Sequence, residues 1–477
     1  MLYLTIQRET GNSLIKQIFE QTRELILHEE LKAGDKLPST REMARLLNVS
    51  RNTVLEAYEM LVAEGYLSSK AASGYFIAEG AHYATERQKV ADYNVTAYTE
   101  RKLTGATISF DSGNPALDLF PRHKWNKAAR QIFDEAPASA LGYDIPQGRP
   151  ELRNALAAYL RKTRGLVCHP DQLMITTGAK QGLTLIAKCL LHPESEVWIE
   201  DPTNRNVRQI FSYHTTRITP IAVDQDGIRP ELFPTGGNPS LIFVTPSHQF
   251  PLGGMLPIQR RIELVRFARE HGCYIIEDDY DSEFRYRGLP LDSLHNLDND
   301  SVIYVGTFSK TLFPSLRLGY LILPVPLMER FREWKRLGDH HSNSLSQLTL
   351  MRFMENGELE RHIARMKKVY RQRRDFLIAS LQAFFPNQVR IMGEKAGMHI
   401  VAEFPGVVFS PRVLAELAQA GVELMTVADH AVITAGHQGR IILGYSHLTP
   451  EEITGGLQII RQTLTQIAAA TAMAQSV

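Results

Sequence analysis

Six short apolar runs dominate the middle of the chain: Leu173 to Thr177, Val197 to Glu200, Leu241 to Thr245, Tyr274 to Glu277, Val302 to Val305 and Tyr320 to Leu323. Each has the length of a strand. Between them lie helical stripes such as Leu183 to Leu191 and Ile258 to His271. Strand alternating with helix has few physical solutions, and the common one is a mostly parallel sheet covered by helices on both faces, with ligands beyond the strand ends.

A chain of 477 residues exceeds one core, and the usual prior is about three domains. From about Ser342 the pattern changes to long charged helices, including Glu358 to Gln382, with short strands near His399 to Glu403 and Arg440 to Gly444. That tail is expected to form a smaller α+β part. At the other end, residues 13–29 place Ile15, Ile18, Phe19 and Ile26 on one helical face. Ser39 and Glu42 make a capping box before the stripe Met43, Leu46, Leu47. A third helix follows Ser50, with Val54, Ala57, Tyr58, Leu61 and Val62 on one face and Arg51, Asn52, Thr53 and Glu56 on the other. Tyr66 to Ile77 reads as two short strands around a small-residue turn. Three helices and a hairpin make a winged helix-turn-helix. The expected division is a DNA-binding domain over 1–79, a polar linker over 80–106 and an effector domain over 107–477, with a large part at about 145–340 and a small part at about 341–477.

Net charge is +1, so no overall polycation exists to hold nucleic acid indiscriminately. Residues 1–80 carry nine Lys or Arg against eleven Asp or Glu, and only Lys36 to Arg51 is locally basic. DNA contact is therefore expected to be local, and a dimer is expected because one such face is small. The three cysteines lie far apart without metal-ligand spacing, which points to reduced thiols, no disulfide and no metal. Met1 to Arg8 has no apolar core of a leader, and no run approaches the roughly 18 apolar residues of a membrane span, so a cytoplasmic protein is expected.

After Val305 the chain breaks into Gly-Thr307-Phe-Ser-Lys310, with Arg317 seven residues on. A lysine beside a strand end can lose its proton and condense with an aldehyde, and an arginine can grip a phosphate bidentately. Pyridoxal 5′-phosphate carries both groups. Alone, the run also reads as a surface lysine and a salt-bridged arginine. Ile275-Ile-Glu-Asp278-Asp-Tyr280 ends a strand in carboxylates that need a cation. Gly178-Ala179-Lys180-Gln-Gly-Leu183 stands where strand gives way to helix, so its amides can seat a phosphate.

The lysine run resembles the cofactor motif of the fold type I aminotransferases. That resemblance implies a Schiff base on Lys310, Asp278 on the pyridinium nitrogen, Tyr280 on the ring's phenolic oxygen, and Ala179, Lys180, Thr307 and Arg317 around the phosphate. Gly142-Tyr143 to Arg153 resembles the segment whose tyrosine reaches the phosphate of the neighbouring subunit. Leu-Pro-Ser39-Thr-Arg41, Val-Ser50-Arg51-Asn52-Thr53-Val and Ala-Glu-Gly-Tyr-Leu closely resemble the GntR regulators. This implies that the start of the third helix enters the major groove. Arg51 and Asn52 would lie there, Arg51 on a base edge, with Lys36, Ser39, Arg41, Ser50, Thr53 and Lys70 available to phosphates or wing contacts. Together the parts resemble the MocR subfamily of GntR regulators, which implies a head-to-tail homodimer and a small-molecule effector.

Three positions depart from the amino-acid-handling pattern of that family. Asn204 stands where an aromatic usually stacks on the cofactor ring. Ile442 replaces the usual carboxylate-binding arginine, with Arg440 on the same strand face. Phe250 replaces an asparagine that touches the ring oxygen, and His248 or Gln249 can stand in. The expectation is a regulator rather than a working enzyme, with pyridoxal phosphate itself as effector in control of vitamin B6 synthesis. The alternatives are a regulator sensing an amine or amino acid, or an active aminotransferase carrying a DNA-binding domain.

Overall fold

A computed structural model describes residues 4–8, 11–71, 73–81, 107–286 and 292–475. The chain divides into two compact units, Met1–Lys102 and Leu103–Val477. Of the expected linker, residues 82–106 lie outside the described residues.

The first unit comprises α1 (Leu14–Leu27), α2 (Thr40–Leu47), α3 (Arg51–Ala63) and a hairpin of β1 (Leu67–Lys70) and β2 (Gly74–Ile77). Each helix starts on a serine, because Ser13, Ser39 and Ser50 accept from the amides of Lys16, Glu42 and Thr53 and satisfy donors that the helix leaves open. Ile18, Phe19, Ile26, Met43, Val54, Ala57, Tyr58 and Leu61 close over Leu67 and Ile77 of the hairpin. Leu46 departs from its expected place in the core and is 65 % exposed. The buried arc of α2 runs through Met43, Ala44 and Leu47, and at about 100° per residue position 46 falls roughly 100° from its centre. The chain ahead of α2 extends the wing, with Leu37 donating to Tyr75 O and Ile77 to Asp35 O, both at 2.9 Å.

The second unit opens with β3 (Ile108–Ser109) and then builds one sheet from β4 (Leu173–Thr176), β5 (Glu196–Asp201), β6 (Arg217–Asp224), β7 (Gly227–Ile228), β8 (Leu241–Val244), β9 (Tyr274–Asp279), β10 (Val302–Thr307) and β11 (Gly319–Ile322). The strand order is β4-β11-β10-β9-β8-β5-β6-β7. Strands β10, β9, β8, β5 and β6 pair in parallel, and β11 runs antiparallel to both neighbours. Successive residues serve opposite faces. Leu173 and Ile175 pack with helices Pro150–Arg164 and Ser344–Glu355, while Met174 packs with helices Ala179–Leu190 and Met328–Asp339. All six expected strands are present. Strand β6 was not expected: it carries Pro220, and a proline is tolerated there because, among the described residues, 217–222 have no strand on the side away from β5.

A second sheet of β12 (Arg390–Met392), β13 (His399–Glu403), β15 (Met425–Thr426) and β16 (Arg440–Gly444) lies in the order β12-β13-β16-β15, while β14 (Val422–Glu423) pairs in parallel with β3. Its core joins Tyr370, Leu377 and Leu381 of helix Glu358–Phe384 to Ile453, Leu457 and Ile460 of helix Pro450–Gln475. Phe110 and Ala116 are buried in that same core. The smaller part therefore draws in residues near 108–119 as well as the expected tail. This crossing brings an early segment to the ends of the large sheet.

Candidate functional site

Lys310 stands just beyond β10, half-buried, and its Nζ donates to the main-chain oxygen of Gly113 at 2.8 Å. Gly113 has φ 85°, and a Cβ there would lie 2.4 Å from that amine, so only glycine fits. Burial depresses the lysine's pKa, and Lys180 adds to this, while Asp111, Asp281 and Asp278 pull it upward. A lysine so depressed can present a neutral amine as nucleophile.

Asp278 lies on the neighbouring strand, in register with Val305. Its Oδ1 is enclosed and has no hydrogen-bond partner among the described residues. Burial first, then Asp279 and Asp281, push its carboxyl up to about 7, and Lys310 opposes them. An enclosed acid without a partner calls for a cation or a donor. Asp279 points to other partners, with its Oδ2 accepting from Tyr304 and Arg164. The hydroxyl of Tyr280 lies 3.0 Å from His248 O and 3.1 Å from His248 Nδ1.

On the other side of Lys310, Arg317 adopts a left-handed conformation at φ 51°, and its guanidinium donates to Thr177 O. A Cβ on Gly178 would come within 3.1–3.2 Å of that guanidinium, so a glycine lets the arginine lie against the turn. Helix Ala179–Leu190 begins there without a side-chain cap, which leaves its first amides available beside Ala179 and Lys180. Thr307 ends β10 opposite Gly319, and its Oγ1 accepts from the Ser309 amide at 3.2 Å. Tyr143 is 87 % exposed and packs edge-on to His340 with ring centroids 4.9 Å apart. These groups fit pyridoxal 5′-phosphate: an amine of depressed pKa, an unpartnered acid for a ring cation, and an arginine beside open helix amides.

The three departures have structural counterparts. Asn204 caps helix Arg205–Ser212, its Oδ1 accepting from the Asn206 amide at 3.0 Å. Gln249 is fully engaged elsewhere, donating to Pro202 O, Phe250 O and Glu200 and accepting from the Leu252 amide. Of the two side chains that could replace the missing asparagine, His248 is the one facing Tyr280. Ile442 is buried with Phe250, Val401 and Val427, and Tyr280 packs on that cluster. Arg440 is bound to Glu403 through Nε and Nη2 at 3.2 Å and meets His437 at 3.1 Å. It is not a free replacement for an arginine at 442. Sequence reasoning did not single out Gly113, Asp281 or His399. One ring nitrogen each of His248 and His399 and a carboxylate oxygen of Asp281 lie within 4.8 Å of one another, and all three residues are buried.

In the first unit, Arg51 and Asn52 are exposed at the start of α3, as are Arg41, Lys36 and Lys70. Ser39, Ser50 and Thr53 serve the helix starts, and Ser50 Oγ also meets Thr53 Oγ1 at 2.7 Å. Lys36 and Lys70 converge on the wing, their amines 5.8 and 5.1 Å from the centroid of the Phe76 ring. Such contacts steer both amines without neutralising them.

Residues 14–77 match the family of bacterial regulatory proteins, gntR family, and residues 106–460 match aminotransferase class I and II. The chain is 33 % identical over 471 residues to the probable rhizopine catabolism regulatory protein MocR of Rhizobium meliloti, covering 96 % of this chain and 95 % of that one. It is 32 % identical over 402 residues to the pyridoxine biosynthesis transcriptional regulator PdxR of Corynebacterium glutamicum, covering 84 % and 85 %. Among solved structures it is similar to LysN, the alpha-aminoadipate aminotransferase of Thermus thermophilus, complexed with N-(5′-phosphopyridoxyl)-L-leucine. There the TM-score is 0.71 at 26 % identity over 79 % of this chain and 96 % of that one.

Proposed function

The chain belongs to the MocR type of GntR-family transcriptional regulators, a DNA-binding winged helix joined to an aminotransferase-like domain, and from that premise we propose that it holds pyridoxal 5′-phosphate covalently at Lys310 and answers to that cofactor in controlling vitamin B6 synthesis. When bound, the cofactor supplies an aldehyde for the lysine and an electron-accepting ring. Lys310 offers the amine. Asp278 holds a proton or accepts one at the ring nitrogen, Tyr280 donates toward the ring oxygen, and Arg317 with Thr307 and the amides at Ala179 and Lys180 neutralises the phosphate. Tyr143 would serve the phosphate of a partner subunit in a head-to-tail homodimer, which accords with its exposure.

The observation that carries this reading is a retained cofactor cradle beside a filled carboxylate position, with Ile442 inside an apolar cluster and Arg440 tied to Glu403. A bidentate carboxylate clamp provides much of the orientation that transamination needs. Without it, the domain is suited to sensing rather than turnover. The similarity to a regulator of pyridoxine biosynthesis supports the choice of effector.

Protein mixed with pyridoxal phosphate should develop visible absorbance that Lys310→Ala abolishes. Footprinting of the promoter beside its own gene should change with pyridoxal phosphate and not with common amino acids. An amino acid that shifts the visible band and alters the footprint overturns the choice of effector. Conversion of the bound cofactor to its pyridoxamine form would favour the aminotransferase reading.

A further inference from the structure

Tyr280 is the first residue beyond β9, the strand that carries Asp278, and its hydroxyl donates to the main-chain oxygen of His248 at 3.0 Å and lies 3.1 Å from His248 Nδ1. His248 Nδ1 in turn lies 3.1 Å from Asp281 Oδ2, and the two side chains are 1 % and 2 % exposed. As a carboxylate, Asp281 only accepts, so this bond places a proton on Nδ1. Neither His248 Nε2 nor Asp281 Oδ1 has a partner among the described residues. Enclosed polar atoms left bare in this way call for an explanation. The pair is also gripped from outside. A Cβ on Gly397 would lie 2.1 Å from His248 Cε1 and 2.6 Å from Asp281 Oδ2, and one on Gly253 would lie 3.2 Å from His248 Nε2.

We infer that His248 and Asp281 form a positioning dyad for Tyr280, which holds the phenol oxygen in place and strengthens its hydroxyl, here donated to His248 O, as a donor once it turns to the ring oxygen of the bound cofactor. This inference rests on the cofactor reading given above. Asp281 sets the tautomer of His248, and the single Nδ1 hydrogen is shared between Asp281 Oδ2 and the phenol oxygen, each 3.1 Å away. A phenol that accepts one hydrogen bond donates its own hydrogen more strongly. The surroundings keep the phenol protonated, since burial first and then Asp281, Asp278, Glu200 and Asp279 push its pKa well above the ordinary range. His399 stacks at a tilt, 5.1 Å from the His248 ring, and stays neutral because burial and then His248 lower it to about 4. Its Nε2 is committed to Pro251 O at 2.9 Å, so it does not compete for Tyr280. Phe250, packed near Tyr280, has no donor to offer. The hydrogen bonding of the ring oxygen thus depends on Tyr280 and on the pair behind it.

The test is the pH titration of the visible band of protein saturated with pyridoxal phosphate, in wild type, His248→Phe and Asp281→Asn, each also in a Tyr280→Phe background. Loss of His248 should raise the titration midpoint, making the proton about threefold to tenfold harder to remove. Asp281→Asn also removes a charge that pulls the Lys310 pKa upward, and is read as the difference between the Tyr280 and Tyr280→Phe backgrounds. In the Tyr280→Phe background His248→Phe should add nothing, and Asp281→Asn should show only the downward shift from its lost charge, an outcome that a merely structural role would not produce. A band whose midpoint is the same in wild type and both variants overturns the dyad while leaving the cofactor reading intact. Equal shifts with and without Tyr280 also overturn it. Absence of any band in the wild type overturns both readings together. Should His248→Phe fail to fold, Asp281→Asn carries the same test.

Discussion

The amine of Lys310 and the main-chain oxygen of Gly113, 197 residues apart, are 2.8 Å from each other, and the left-handed backbone of Gly113 holds that oxygen where no side chain could stand beside it. A methyl group at residue 113 meets the amine and also strains the backbone. Gly113→Ala should therefore weaken pyridoxal phosphate binding at least about tenfold. Melting of the DNA-binding unit should be unchanged. Absorbance titration with the cofactor measures the first and differential calorimetry the second. Equal affinity in the variant would show that Lys310 does not need this contact.

Asp278 gives a pH dependence with a definite sign. Its folded pKa of about 7 stands above the ordinary carboxylate range. The stability associated with this group is therefore fully present below about pH 4 and is lost as pH rises through 7. Asp278→Asn carries no charge to lose. In cofactor-free protein the variant should gain on the wild type by roughly 1–3 kcal/mol between pH 4 and 8. Glu200 and Glu277, each also pushed up to about 7, leave part of the slope in place. Denaturant midpoints across pH measure the difference, and parallel curves would sink the assignment. Added pyridoxal phosphate should stabilise the wild type more than the variant, because only the wild type offers the ring a carboxylate.

These two sites show how much of the chain was legible before its structure. Lys310, Asp278, Thr307 and Arg317 stand at the ends of apolar runs, and a parallel sheet gathers such ends in one place whatever the loops do. Helix Ile258–His271 and strands His399–Glu403 and Arg440–Gly444 also follow directly from periodicity. Strand β6 did not, because a strand interrupted by Pro220 lacks a continuous apolar run. Gly113 and the His248–Asp281 pair were hidden for a different reason. Their meaning depends on segments brought together by tertiary packing, and no local pattern marks a glycine whose neighbour is a lysine 197 residues away. Leu46 looked like core because three-residue spacing fits two sides of a short helix, and only packing chooses between them.

Arg440 separates a carboxylate sensor from a cofactor sensor. Its ion pair with Glu403 is partly exposed, so Arg440→Gln should cost less than about 1 kcal/mol in stability. Binding of pyridoxal phosphate, and the footprint change that it causes, should be unaffected. The check is thermal melting together with promoter binding in the presence of the cofactor and of a panel of amino acids. A response to an amino acid that disappears in the variant would show that Arg440 leaves Glu403 to hold a carboxylate.

At the DNA end, Arg51 and Lys70 should fail in different ways. Arg51 is the first residue of α3, where an exposed guanidinium can reach a base edge. Lys70 ends β1 on the wing, its amine 5.1 Å from the Phe76 ring centroid and directed as a point charge. A bidentate base contact carries sequence information worth about 1–3 kcal/mol, whereas a phosphate contact mainly releases counterions. Arg51→Ala should lose about that much affinity for the operator and discriminate less against a scrambled duplex. Lys70→Ala should weaken both duplexes alike and lower the slope of log affinity against log salt by about one. Because Lys36 meets the same ring, Phe76→Leu should affect both amines but keep both charges, and so produce a smaller fall in non-specific affinity than Lys70→Ala. Anisotropy titrations on both duplexes at several salt concentrations distinguish these outcomes. Equal losses on operator and scrambled DNA for Arg51→Ala would remove it from base recognition and leave it a phosphate contact.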